Sequence, residues 1–177
     1  MNRLLTALVA VFLLAGCLQE QGSAHASKPE APVVAIAGDS LCVGLAQAAG
    51  LKSVARVGAP TREVVSQLKR LPAGATVILC AGTNDAAARL DGFQASVDAV
   101  LAEALNRRQR IIWVGPVSTT LWWDSYSDKA DTLLALKIGN YVSLRAIGWN
   151  PGERAGDRIH LTSKGYARLW QIVKGKL

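Results

Sequence analysis

Three residues in this chain have the side-chain types that chemistry on an acyl group through a serine requires: a hydroxyl at Ser40, an imidazole at His160 and a carboxylate at Asp157. Such chemistry also needs donors aimed at the oxyanion, and the base must lie within hydrogen-bond reach of both the nucleophile and its orienting group. Asp157-Arg158-Ile159-His160 spaces carboxylate and imidazole three residues apart. One turn of backbone can fold that spacing so that an Asp oxygen meets the ring Nδ1–H, leaving the other ring nitrogen to face Ser40. Asn84 offers a side-chain amide, and Gly58 an N–H that no side chain obstructs. With the Ser40 N–H they form a candidate oxyanion hole.

Each of these residues has a plainer use. Asp39 or Ser40 can cap a helix, Asn84 can make a turn, Gly58 can end a strand, Asp157 can form an Asx turn and His160 can open a helix. Their joint occurrence at the ends of predicted elements favours the chemical reading.

The elements that must carry them alternate strand and helix. The apolar run at 33–37 reads as a buried strand closed by Gly38-Asp39-Ser40, and 41–49 as the helix after it. Ser40 then sits where strand becomes helix, at the carboxyl end of a strand, where open α/β sheets bind ligands and a helix N-terminus favours negative charge. Further strands are expected at 52–57, 75–81, 110–114 and 141–147, the last of which also reads as the tail of a helix. Helices are expected at about 62–70, 92–106, 128–138 and 161–174, with Phe93, Val97, Val100, Leu101 and Leu105 on one side of the second of these. Five short strands separated by helices predict a parallel sheet covered on both faces, with right-handed crossovers.

The chain has 177 residues, half of them hydrophobic, which fits one domain with a sizeable core, here 33–177. Residues 1–16 have a basic start and an apolar centre too short to span a bilayer comfortably, and read as a signal peptide. Leu14-Ala15-Gly16-Cys17 closes this segment and resembles the bacterial lipobox, which implies lipidation at Cys17 and a membrane anchor. A plain secretory signal containing a cysteine is the alternative. Leu18, where an aspartate would signal retention, implies delivery to the outer membrane facing the periplasm. Residues 17–32 are rich in Gln, Glu, Ser, Ala and Pro without hydrophobic period and read as a flexible tether. His25 falls in this tether, so His160 is the single histidine of the folded region.

A formal charge of +7 invites a nucleic-acid reading. The basic residues are scattered, however, the tightest group being Arg107-Arg108-Gln109-Arg110, and an exported protein rarely meets nucleic acid. A solvated helix end explains that group better, and no nucleic-acid partner is expected. The charge is compatible with acidic glycans or anionic headgroups. No cysteine spacing of the zinc type is present.

Taken together, Gly38-Asp39-Ser40, Gly58, Gly82-Thr83-Asn84-Asp85 and Asp157-x-x-His160 resemble the four sequence blocks of the SGNH, or GDSL-type, serine hydrolases. The resemblance covers residues from about 33 to the C-terminus. It implies a three-layer α/β/α sandwich of flavodoxin-like type with a five-stranded parallel sheet, and hydrolysis of esters or thioesters without metal or other cofactor. By position it implies Ser40 as nucleophile, His160 as general base, Asp157 as its orienter, and Ser40, Gly58 and Asn84 as oxyanion donors. Leu41-Cys42-Val43 and the clipped block Val57-Gly58-Ala59-Pro60-Thr61 depart from the common pattern at positions that line the pocket.

Lipases, thioesterases, lysophospholipases and carbohydrate O-acetylesterases share these blocks. Small size and the lack of a long apolar lid point to short acyl groups, such as acetyl esters on a glycan, with Trp122, Trp123 and Tyr126 able to stack on sugar rings. A lysophospholipase or thioesterase, or a non-catalytic glycan-binding lipoprotein, is the alternative. Cys42 and Cys80 remain after Cys17. In an oxidising compartment they can pair, since the strands that carry or precede them are neighbours in this fold, or they can serve as small apolar fillers.

Overall fold

A computed structural model describes residues 33–177; the signal peptide expected at 1–16, the lipidation expected at Cys17 and the tether expected at 17–32 lie outside the described residues. Four parallel strands form one sheet in the order β1 (Val34–Gly38), β2 (Thr76–Cys80), β3 (Arg110–Val114), β4 (Tyr141–Val142). Between them run α1 (Ser40–Ala49), α2 (Thr61–Lys69), α3 (Thr83–Ala87), α4 (Phe93–Asn106) and α5 (Asp124–Lys137), and α6 (Ser163–Lys174) closes the chain.

Alternation along the strands divides the core in two, as period-two geometry requires. Ile36, Ile78, Ile112 and Val114 face Leu41 and Leu45 of α1 and Leu169 and Val173 of α6. Ala35, Val77, Leu79 and Trp113 face Val64 and Leu68 of α2, Val97 and Val100 of α4, and Leu134 of α5. The result is the expected three-layer sandwich. β2 is buried at all five positions, consistent with the apolar run 77–80 that follows Thr76.

The second of the five expected strands is reduced to an extended edge. Residues 52–57 lie alongside β1, with Ile36 N–H donating to the Lys52 carbonyl at 3.1 Å, Val54 N–H to the Ile36 carbonyl at 2.9 Å and Arg56 N–H to the Gly38 carbonyl at 3.0 Å. Only Ser53 completes a bridge. Its hydroxyl accepts the Ala55 N–H, and the backbone turns at Gly58, so the segment ends before a full ladder forms. With this edge included, the order across the sheet is that of flavodoxin-like folds, and the strand order reverses between β1 and β2.

The strand expected at 141–147 stops after two residues. There the Ser143 hydroxyl binds Asp131 and accepts the Ala146 N–H, turning the chain so that Leu144 enters the core. In α4, Phe93, Val97 and Val100 are buried as expected, but Leu105 is 80 % exposed and Ala104 takes the inward position. α5 begins at Asp124, four residues ahead of the expected start, and α6 at Ser163, with Thr162 as its cap.

Cys42 and Cys80 are joined by a disulfide, with Cα atoms 5.3 Å apart. It ties the first turn of α1 to the last residue of β2, the two elements that precede and support the candidate site.

Candidate active site

Ser40 is the first residue of α1, immediately after β1. Asp39 caps the helix by accepting the Leu41 N–H at 2.9 Å, so the capping and chemical readings of this turn hold together. Gly38 permits the turn. At φ +120° it occupies a region closed to other residues, and a Cβ there would lie 2.0 Å from the Cys80 carbonyl oxygen. Gln67 of α2 clamps the same residue from both sides, accepting the Gly38 N–H at 2.5 Å and donating to its carbonyl at 3.1 Å. Being at the first helical position, the Ser40 N–H has no intrahelical acceptor and is free to meet a negative charge.

His160 approaches from the loop before α6. His160 Nε2 lies 2.9 Å from Ser40 Oγ, and its Nδ1 lies 2.5 Å from Asp157 Oδ2. Asp157 Oδ1 accepts the backbone N–H groups of Ile159 and His160, both at 2.9 Å, which fixes the carboxylate in an Asx-type turn. Burial pushes the Asp157 carboxyl upward. Its bonds from the His160 ring and the two N–H groups outweigh that and bring it down to about 2, so it stays anionic at neutral pH. The arrangement holds His160 in the tautomer with Nδ1–H toward Asp157 and a lone pair at Nε2 toward the hydroxyl. The pair is open to solvent, with side-chain exposures of 37 % for His160 and 48 % for Asp157.

The expected oxyanion donors Asn84 and Gly58 sit on α3 and on the loop before α2. Asn84 donates an amide N–H to the Ala59 carbonyl at 3.1 Å, leaving its second N–H available. The adjacent Asp85 accepts the Thr61 N–H at 3.0 Å and the Thr61 hydroxyl at 2.7 Å. Two consecutive side chains therefore pin the loop that carries Gly58. Gly58 adopts φ +73°, and a side chain there would meet open space.

Sequence reasoning did not single out three supporting residues. Besides Gln67 and the Asp85 bond to Thr61, buried Glu153 holds the loop that delivers Asp157 and His160. It accepts the Asn150 N–H and the Arg168 guanidinium, each at 2.7 Å, and the Asn150 amide at 3.1 Å. Burial works against the Glu153 charge, but those donors bring its carboxyl to about 2. Asp39 shows the opposite balance. Full burial, with a contribution from nearby Asp85, lifts it to about 7 despite the N–H groups it accepts.

Of the three aromatic residues expected to be able to stack on sugar rings, Trp123 is a core residue, and Tyr126 is half-buried with its ring edge-on to Trp122 at 6.4 Å. Trp122 alone is exposed, at 66 %, with the Arg89 guanidinium 5.5 Å over its ring. Arg89 follows α3 closely, and Arg158 of the His160 loop donates to Thr120 at 3.2 Å.

No protein-family model and no curated protein sequence matches the chain. Solved structures do. The chain is similar to a lipolytic protein of the G-D-S-L family from Desulfitobacterium hafniense at 16 % identity and TM-score 0.64, over 82 % of this chain and 99 % of that one. A GDSL-like lipase from Bacteroides thetaiotaomicron aligns at 18 % identity and TM-score 0.56, over 81 % and 88 %. The C-terminal catalytic domain of peptidoglycan O-acetyltransferase A from Streptococcus pneumoniae aligns at 23 % identity and TM-score 0.59, over 82 % and 92 %. With strand order, layering and the four sequence blocks in agreement, the chain has the three-layer α/β/α fold of the SGNH, or GDSL-type, hydrolases.

Proposed function

We propose that this protein is a serine ester hydrolase that removes short acyl groups, acetyl above all, from a glycan, and that it acts from a lipid anchor at Cys17 in the bacterial envelope. The observation that carries the catalytic part is the continuous chain Ser40 Oγ, His160 Nε2, His160 Nδ1, Asp157 Oδ2, with contacts of 2.9 and 2.5 Å. In this reading Ser40 Oγ attacks the ester carbonyl carbon while its proton passes to His160 Nε2. Negative charge gathers on the carbonyl oxygen and is met by the N–H groups of Ser40 and Gly58 and the free amide N–H of Asn84. Collapse breaks the bond to the alcohol oxygen, which takes the proton from His160. Water, deprotonated by the same imidazole, then releases the acid and restores Ser40. Asp157 stays ionised throughout and stabilises the transient imidazolium.

Acyl length follows from the openness of the site. Each CH₂ buried is worth about 0.8 kcal/mol, so a long apolar groove rewards long acyl chains, whereas a half-exposed triad gives a methylene chain little to bury against. A recess of about 650 Å³ with apolar walls does exist, but Val33, Val34, Leu51 and Leu71 among others line it at the opposite end of β1. Exposed Trp122 supports a sugar-ring platform at the rim. The likeness to a peptidoglycan O-acetyltransferase domain is consistent with acetyl esters of a glycan. Anchoring, export and outer-membrane placement rest on the sequence at 1–18 alone.

The test is a series of p-nitrophenyl esters from acetate to palmitate, run beside acetate release from an O-acetylated glycan. The expected optimum is acetate or propionate, with release from the glycan. An optimum at medium or long chains would replace this reading with a lysophospholipase or thioesterase, and absence of any hydrolysis would leave a glycan-binding protein on a hydrolase fold.

A further inference from the structure

Beside the loop that carries the base lies a recess of about 330 Å³ lined by Ser118, Thr119, Thr120, Arg154, Ala155 and Arg158. It belongs structurally to the His160 loop. Arg154 bridges Leu161 in antiparallel fashion, Ala155 N–H donates to the His160 carbonyl at 2.9 Å, and Arg158 stands between Asp157 and His160.

The two guanidiniums bond only to neutral oxygens. Arg154 Nη2 donates to the carbonyls of Ser118 at 2.7 Å and Arg158 at 2.5 Å, and Arg158 Nη1 to the Thr120 hydroxyl at 3.2 Å. Among the described residues, neither lies within ion-pair distance of a carboxylate, whereas Arg56, Arg145 and Arg168 each do. Each guanidinium has five N–H donors, so several remain uncommitted in one small hollow, where Asp157 and Asp124 act on Arg154 only from beyond ion-pair distance. Arg158 moreover adopts φ +67°, a conformation glycine takes freely and arginine rarely.

The opposite wall is held in place. Asp124 accepts the Thr119 N–H at 2.7 Å and is itself gripped by Arg145 at 2.7 Å. A preformed pocket with two unpaired forks and a hydroxyl wall matches the paired oxygens of a carboxylate or a phosphate. It does not match a fatty acyl chain.

Building on the glycan-esterase reading above, we infer that this recess is an anion subsite and that the acylated glycan is acidic, its carboxylate or phosphate held by Arg154 and Arg158 while the ester reaches Ser40. Trp122, two residues after Thr120, then continues the binding surface as a ring platform.

The test is calorimetric titration of the mature wild-type protein with three unacetylated oligosaccharides of equal length: an oligouronate, a phosphorylated oligosaccharide and a neutral one. At low salt, one of the acids should bind about tenfold tighter than the neutral sugar, with the margin shrinking at high salt. Whichever acid binds better names the anion. Arg158→Gln, at an exposed position, should erase most of that margin without a change in the melting curve. Arg154→Lys keeps the charge but loses the fork, and should weaken binding by a smaller factor. Equal binding of acidic and neutral sugars, or a margin that survives both substitutions, would overturn the subsite. Hydrolysis of p-nitrophenyl acetate by the same wild-type sample separates the two readings. Hydrolysis without anion preference removes only the subsite, and anion preference without hydrolysis removes only the esterase.

Discussion

Replacing Asp39 by Asn should stabilise the protein in alkaline solution and leave it unchanged in acid. Asp39 is 1 % exposed, its Oδ1 caps α1 through the Leu41 N–H, and its Oδ2 has no partner among the described residues. Burial, aided by Asp85, lifts its carboxyl from the ordinary 3.8 to about 7. Between those values the native state holds a proton that the unfolded chain has released, so stability is full below the lower value and falls as pH rises through the upper one. A displacement of this size corresponds to about 4 kcal/mol once the carboxyl is ionised in both the native and the unfolded state, at about 1.4 kcal/mol per pH unit. Asn keeps the capping oxygen and mimics the neutral acid, so it escapes this loss. At roughly 2 to 4 °C per kcal/mol for a domain of this size, the variant should melt about 10 °C above wild type near pH 8 and within a degree or two of it near pH 4. Paired circular-dichroism melts across that range measure the difference directly. A gap independent of pH, or one that widens toward acid, would refute the assignment of a buried, neutral Asp39.

Asn84→Ala should lower kcat by about 10²- to 10³-fold, the loss expected for one oxyanion donor, with a smaller change in KM; an effect confined to KM would contradict the role. Glu153→Ala removes the acceptor of Arg168 and Asn150, and should lower Tm and expose 150–160 to proteolysis before the rest of the domain. Because the Glu153 carboxyl sits near 2 in the folded protein, its contribution is present above its ordinary value of 4.5 and is lost as pH falls through about 2, so the Tm deficit of the variant should shrink in strong acid.

What the sequence revealed was local chemistry, and what it hid was long-range support. Asp157 and His160 lie three residues apart, so their meeting follows from one turn of chain, and Ser40 follows a strand whose apolar run is unmistakable. Strand Arg110–Val114 was legible to the residue for the same reason. Gln67 reaching Gly38 and Asp85 reaching Thr61 span 29 and 24 residues, and no spacing rule connects a helix glutamine to a distant glycine. Where periodicity alone decided, neighbours were confused: Leu105 and Ala104 differ by 100° around α4, and the helix turns the smaller one inward. Trp122 and Trp123 share a composition signal, yet one is exposed and the other fills the core, which only the start of α5 at Asp124 determines. The edge at 52–57 reads as a strand and pairs like one, but a ladder on one side only, ending at Gly58, leaves it short.

The proposed hydrolysis turns on activation of Ser40 by His160. The most direct measurement is labelling of the purified mature protein with a fluorophosphonate probe, followed by mass spectrometry of the modified peptide. A single adduct is expected on Ser40, abolished in Ser40→Ala and reduced to near background in His160→Ala with the fold intact. An unlabelled Ser40, or labelling that persists undiminished in His160→Ala, would contradict it.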